Sequence, residues 1–370
     1  MSAIEDGRPQ GPRAEQFGGI DYVEFYVGNV HNAVHFYRTA FGFNPVAYSG
    51  LETGDRDRVS FVLERGGIRL VVTGAVHPAG PVAEHVHLHG DGVKDIAFAV
   101  KDVEGVFHES VRRGAQPVLE PTLIESEGQR VCKATIRAFG DTVHSFIRRD
   151  VPGGPPLPDY QPVRAAGEAA PTGLKEIDHL AVVLDWGKLT EWVGFYRDVL
   201  GFHQSHQEDV MTEYSAMNSK VVEDASGRIK FALLEPAESK RRSQIEEYLN
   251  YYQGPGVQHV AFLSEDIVGS VGGLCASGIQ FLQIPSRYYD TLGERVGQIE
   301  DDVSELKRLN ILVDRDRWGY LMQAFTKSFN NRPTNFFEII QRKQARGFGS
   351  GNIKALFLAV EQEQAMRGNL

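Results

Sequence analysis

The sequence predicts an α+β protein built from one unit written twice, each copy a pair of βαβββ modules curling into a cupped, barrel-like sheet. Three observations lead there. The stretch Ile20-Asp21-Tyr22-Val23-Glu24-Phe25-Tyr26-Val27, followed by a helical segment closing on Phe41-Gly42-Phe43, returns as Ile177-Asp178-His179-Leu180-Ala181-Val182-Val183-Leu184 with a segment closing on Leu200-Gly201-Phe202. A second pair, Gly92-Val93-Lys94-Asp95-Ile96-Ala97-Phe98 and Gly256-Val257-Gln258-His259-Val260-Ala261-Phe262, recurs in the same order, so the chain carries an internal duplication. Between the copies, Asp150 to Gly173 holds six prolines and four glycines, the composition of a linker.

In chain order, residues 1–18 read as a disordered lead-in because they are polar and rich in Gly and Pro. Residues 19–150 form the first copy, 151–173 the linker and 174–370 the second copy. In each copy, period-2 alternation marks the strands and 3.6-residue spacing the helices. The last stretch, with Ile353, Leu356, Phe357 and Val360 at helical spacing, predicts an amphipathic helix. His85, His87 and His89 lie between Gly80-Pro81 and Gly90-Asp91-Gly92 and read as a loop, and His203 and His206 show no evident partner.

The 370 residues are 42% hydrophobic and 24% charged, enough for two cores of ordinary size. A net charge of −10 with dispersed basic residues argues against nucleic acid or anionic membrane as a partner and leaves a small soluble ligand, with room for a homodimer. No stretch approaches the ~18 apolar residues of a membrane span. Cys132 and Cys275 are far apart and outside any Cys-x-x-Cys pattern, which fits a reducing cytoplasm.

The chemistry lies in how the copies differ. Where the first has Tyr22 and Asp95, the second has His179 and His259. Alternation puts His179 on the face of Ile177 and Ala181, and His259 on that of Val257 and Ala261, both into the cup. In Asn335-Phe336-Phe337-Glu338-Ile339-Ile340-Gln341, Glu338 shares a face with Phe336 and Ile340. A buried carboxylate needs a cation or a metal. Aligning the closing strands sets Phe146 opposite Glu338, so the first copy lacks all three groups. Two histidines and a carboxylate with the other positions open is the arrangement of non-haem Fe(II) oxygenases, although zinc and Mn(II) accept the same donors. Because ligation needs neutral imidazoles, metal loading should weaken below pH ~6.5.

Longer motifs carry a resemblance. Gly256-Val257-Gln258-His259, Tyr288-Tyr289-Asp290-Thr291-Leu292-Gly293-Glu294-Arg295, Arg332-Pro333-Thr334-Asn335-Phe336-Phe337-Glu338 and Gly347-Phe348-Gly349-Ser350-Gly351-Asn352-Ile353 are similar to the 4-hydroxyphenylpyruvate dioxygenase family of the vicinal-oxygen-chelate superfamily, over nearly the whole chain. The resemblance implies Fe(II) on His179, His259 and Glu338, with 4-hydroxyphenylpyruvate and O2 as reactants and no separate acid or base residue. It implies a substrate pocket of Ser219, Gln244, Gln258, Gln323, Phe325, Phe336, Phe348 and Asn352, and a last helix acting as a lid. Three positions depart from the dioxygenase pattern. Ala232 and Leu234 stand where that pattern has a proline and an asparagine, and Ile353 stands where it has a phenylalanine. These departures resemble the branch of the family that forms 4-hydroxymandelate, which implies benzylic hydroxylation; the alternatives are ring hydroxylation to homogentisate and ligand sequestration without turnover.

Overall fold

The computed structural model describes residues 16–126, 129–150, 157, 159–163 and 167–369, so most of the expected disordered lead-in and part of the expected linker lie outside the described residues. The first copy runs β1 (Phe17–Tyr26), α1 (Val30–Phe41), β2 (Asn44–Ser49), β3 (Arg58–Arg65), β4 (Ile68–Ala75), α2 (Pro81–His89), β5 (Gly92–Val100), α3 (Val103–Arg112), β6 (Pro117–Ser126), β7 (Gln129–Arg137) and β8 (Val143–Arg149). Strand β9 (Gln161–Pro162) then pairs with β2 and extends this sheet from within the Pro-rich stretch.

The second copy repeats the order: β10 (Leu174–Val183), α4 (Leu189–Asp198), β11 (His203–Met211), β12 (Ala216–Glu223), β13 (Lys230–Pro236), α5 (Gln244–Tyr252), β14 (Gly256–Ser264) and α6 (Ile267–Ala276). Three short helices follow, α7 (Ser286–Asp290), α8 (Leu292–Val296) and α9 (Val303–Arg308), before β15 (Leu312–Arg315), β16 (Tyr320–Phe325), β17 (Phe336–Lys343) and the closing helix α10 (Ser350–Met366). Among the described residues the strands form two sheets, ordered β6-β7-β8-β5-β1-β4-β3-β2-β9 and β11-β12-β13-β10-β14-β17-β16-β15. Apart from β9 the orders are the same, so each half is two βαβββ modules joined edge to edge through an antiparallel central pair.

Local chemistry explains the elements. Asn29 and Asp102 cap α1 and α3, each side chain accepting a backbone N–H of the first turn, and Gly42 closes α1 with φ 73°. The segment holding His85, His87 and His89 is a helix and not the expected loop. Pro81 at its first turn and Gly90 after its end are start and stop signals of a helix, and they set His85 and His89 one turn apart on a buried face.

The two halves share one apolar core. Phe337 of β17 packs against Phe41 of α1 at 5.0 Å, and Phe25 of β1 lies 6.3 Å away. His144 of β8 is fully buried in the same core, its Nε2 accepting from the Tyr196 hydroxyl of α4 at 2.9 Å and its Nδ1–H directed at the Ile96 carbonyl. Burial pushes the His144 imidazole from its ordinary 6.5 down to about 4. Between these values the unfolded chain binds the proton and the folded chain does not, so stability falls as pH drops from 6.5 toward 4, by about 3 kcal/mol at most from this group. In urea unfolding, the stability advantage of the native chain over His144→Gln should therefore shrink steadily across that window. A gap independent of pH would contradict it.

Candidate metal centre

His179, His259 and Glu338 come from β10, β14 and β17, three adjacent strands at the centre of the second sheet. All three are buried. The register shows how they converge, with His179 paired to Ala261, Ala181 to His259, and Ala261 to Glu338. Shifts between Ile177 and His179, and between Ala181 and Val182 opposite His259, are bulges that re-aim the side chains at the site. They also correct the expected alternation. Ile177 and Val257 pack into the shared core behind the sheet, while Ala181 and Ala261 lie toward the cup.

Both imidazole Nε2 atoms lie 3.3 Å from Glu338 Oε2. With metal–ligand bonds of ~2.0–2.2 Å, adjacent donors of a tetrahedral or octahedral ion stand ~3.0–3.5 Å apart, so the arrangement fits a first-row ion. Charge balance agrees with this geometry. Asp178 accepts from His179 Nδ1–H at 2.9 Å and is paired in bidentate fashion by Arg342 at 2.7 and 2.8 Å, so that cation is already matched. Glu338 Oε1 accepts only from the neutral Gln323 amide at 2.9 Å. Burial pushes the Glu338 carboxyl up, but attraction to His179 and bonds from both histidines outweigh it and hold it at about 2. What remains is a buried anion facing two imidazoles, a place for a divalent cation.

The first half shows the contrast. The counterpart of Glu338 is Ser145 and not the expected Phe146, because Ala97, the match of Ala261, pairs with Ser145. Tyr22, Ser145 and Lys133 all donate to Asp95 Oδ2, at 2.9, 2.7 and 3.2 Å. Lys133 occupies the register position of Gln323. A fixed ammonium thus sits where the second half keeps a neutral amide.

A second cluster joins His85 and His89 to Asp141. His85 Nδ1 lies 3.0 Å and His89 Nε2 3.4 Å from Asp141 Oδ2, but Lys94 Nζ stands 3.5 Å from the same oxygen and donates to the Asp141 carbonyl. The cation there is the lysine, and a dication beside it would be repelled by several kcal/mol. His89 bonds the Tyr252 carbonyl, and Arg332 donates to the carbonyls of His87, Leu88 and Tyr251. The cluster is a clasp between the halves.

Around the triad is a cavity of about 50 Å³. Ser219, Gln244, Gln258, Gln323, Phe325 and Phe348 line it, as do Ala232, Leu234 and Ile353. Phe336 and Asn352 do not. The Phe336 ring stacks on His259 at 4.9 Å, and Asn352 bonds Gln323. Also on the wall are residues outside the expected pocket. Met217 and Val221 alternate with Ser219 on β12, a signal that was available. His206, placed by the fold beside Glu208 at 3.3 Å, gave none, and His203 lies 3.3 Å from Glu223. Small-molecule sites usually run to ~300–1,000 Å³, so this cavity is small, and Ile353 and Leu356 of α10 form part of its wall. No described helix is long and apolar enough to cross a membrane.

Residues 19–132 and 176–323 match the model of the glyoxalase/bleomycin resistance protein/dioxygenase superfamily. The chain is 40% identical to the 4-hydroxyphenylpyruvate dioxygenase of Neurospora crassa, over 98% of this chain and 95% of that one. It is 41% identical to the one from Dictyostelium discoideum, over 95% and 100%. Among solved structures, a triple mutant of 4-hydroxymandelate synthase from Streptomyces coelicolor superposes with a TM-score of 0.87 at 41% identity, covering 94% of this chain and 99% of that one. Replacing Glu338 by Ala should weaken Co(II) binding by more than about 100-fold, beyond the ~10–100-fold of an outer-shell change, while Arg342→Gln should fall within that smaller range; isothermal titration checks both.

Proposed function

Since the chain belongs to the 4-hydroxyphenylpyruvate dioxygenase family of the glyoxalase/bleomycin resistance protein/dioxygenase superfamily, we propose that it is the hydroxymandelate-forming type of that family. In this reading His179, His259 and Glu338 hold a ferrous ion. The substrate is 4-hydroxyphenylpyruvate, which with O2 gives 4-hydroxymandelate and CO2, and atoms balance with no further co-substrate. Residues 19–150 are a domain without metal, and 174–370 are the catalytic domain with α10 as its lid.

The bound ion would supply the seat for the 2-oxo acid and the activation of dioxygen. The chain does the rest. Asp178, held by Arg342, keeps the His179 proton on Nδ1 and its Nε2 lone pair free. Phe348 stands edge-on to His179 at 5.1 Å and Phe336 covers His259, so apolar rings shield the reacting centre from water. Gln244 and Gln258 offer amides toward the phenol end, and Gln244 Oε1 is buried without a partner among the described residues.

One observation supports the mandelate product: Leu234 and Ile353 both line the cavity of the triad. A branched aliphatic group at each place removes an amide and a flat ring from the wall, leaving the aromatic ring free to tilt until its benzylic carbon faces the ion. A displacement of ~1 Å redirects reactivity in such sites. The homogentisate reading is kept open by the dioxygenase names of the relatives.

Mandelate and homogentisate are isomers, so mass does not separate them. Incubation with Fe(II), ascorbate, O2 and 4-hydroxyphenylpyruvate should give a product with a benzylic CH–OH proton by NMR, and Leu234→Asn with Ile353→Phe should move part of the flux to the ring. Homogentisate from the unaltered chain would overturn the mandelate reading.

A further inference from the structure

A line of hydrogen bonds, buried as far as Asn352 and half-buried at Tyr288, leaves the carboxylate and runs outward through the closing helix. Gln323 Nε2 donates to Glu338 Oε1 at 2.9 Å, Asn352 Nδ2 donates to Gln323 Oε1 at 2.8 Å, and the Tyr288 hydroxyl donates to Asn352 Oδ1 at 2.7 Å. The Tyr288 oxygen in turn accepts from the Val313 N–H of β15 at 2.8 Å, the Val313 carbonyl lies within reach of its proton at 2.8 Å, and Arg295 lies over the ring at 4.3 Å. We infer that Tyr288 is a positioning residue for the metal carboxylate, acting through Asn352 and Gln323.

The chemistry of the line gives it one direction. A carboxylate only accepts, so Gln323 must turn its NH2 inward and its carbonyl outward. Asn352 must then offer its NH2 to that carbonyl, and its own carbonyl is left to accept from a phenol. Each amide has one satisfied orientation while the tyrosine hydroxyl turns its one proton to Asn352 rather than to the Val313 carbonyl. Without it Asn352 loses the donor that fixes it, and Gln323 and the Glu338 oxygen it holds are free to turn. Gln323, Asn352 and Glu338 are all at most 2% exposed, so water does not readily substitute.

The duplication supplies an independent observation. Tyr288 lies on α7, one of the short helices between α6 and β15. In the first half β6 follows α3 within a few residues, so the counterpart of α7 is missing there. The first half also has Lys133 in place of Gln323, bonded straight to Asp95. The inserted helix and the amide line therefore occur together, in the half that has the three donors. Asn352 stands in the first turn of α10, so the line is complete only when that helix is docked, and ligand geometry is tied to closure.

The inference rests on the assignment of His179, His259 and Glu338 as metal ligands. Its test uses the full chain with Co(II) as the probe, affinity being read by chelator competition and geometry by the visible absorption of the bound ion. Tyr288→Phe keeps the ring and removes one oxygen. It should weaken Co(II) about 10-fold and shift the absorption, as outer-shell changes do, with the unfolding temperature nearly unchanged. Asn352→Ala should do the same, and the double variant should be no worse than Asn352→Ala alone because both cut one line. Native affinity and spectrum in Tyr288→Phe, or additive losses in the double variant, overturn the inference if Glu338→Ala is defective. A native chain that binds no Co(II), or a Glu338→Ala variant that binds it as well, overturns the ligand assignment and the inference with it.

Discussion

A buried carboxylate whose neighbours carry no fixed positive charge organises the second half of this protein. Glu338 is 1% exposed, Arg342 is committed to Asp178, and the amide of Gln323 is neutral. An uncompensated charge at such depth costs several kcal/mol. The bulged strands turn two imidazoles toward it, and aromatic rings pack against both. A hydrophobic core would ordinarily remove such a charge, which makes these three side chains the candidate metal site.

The first half shows how the same architecture looks once the imbalance is settled. At register-matched positions, Tyr22, Ser145 and Lys133 gather on one oxygen of Asp95, one negative charge beside one positive charge. Exchanging a lysine for a glutamine, a tyrosine and an aspartate for two histidines, and a serine for a glutamate separates a charge-paired polar core from a candidate metal centre. The order of the strands is the same. Fold alone therefore does not report which half does chemistry; the charges on a few inward positions do.

Much of this was legible in the sequence because a duplication lets the chain be compared with itself. The histidines stand at matched places in two recurring motifs, and their replacement by Tyr22 and Asp95 points at once to a difference in chemistry. The closing strands share no such motif, which is why Phe146 rather than Ser145 was set against Glu338. The bulges beside His179 and His259 could not be read either, since a bulge leaves composition unchanged and shifts only register; Ile177 and Val257 were put on the wrong face for that reason. Gly80-Pro81 and Gly90 were taken as loop punctuation although the same residues begin and end a helix. His206 and Tyr288 reach the site through contacts across 132 and 50 positions of chain, measured to Glu338, and local pattern does not encode that.

Phe337 is the neighbour of Glu338 on β17, and its ring lies on the other side of the strand, against Phe41 of the opposite half. Part of the support behind the strand of Glu338 thus belongs to the other copy. Losing the first copy would bare Phe337 where it meets Phe25, Tyr37 and Phe41 and leave it only Phe262 and Phe329 as aromatic neighbours, so neither half could be shed without loosening the strand that carries Glu338.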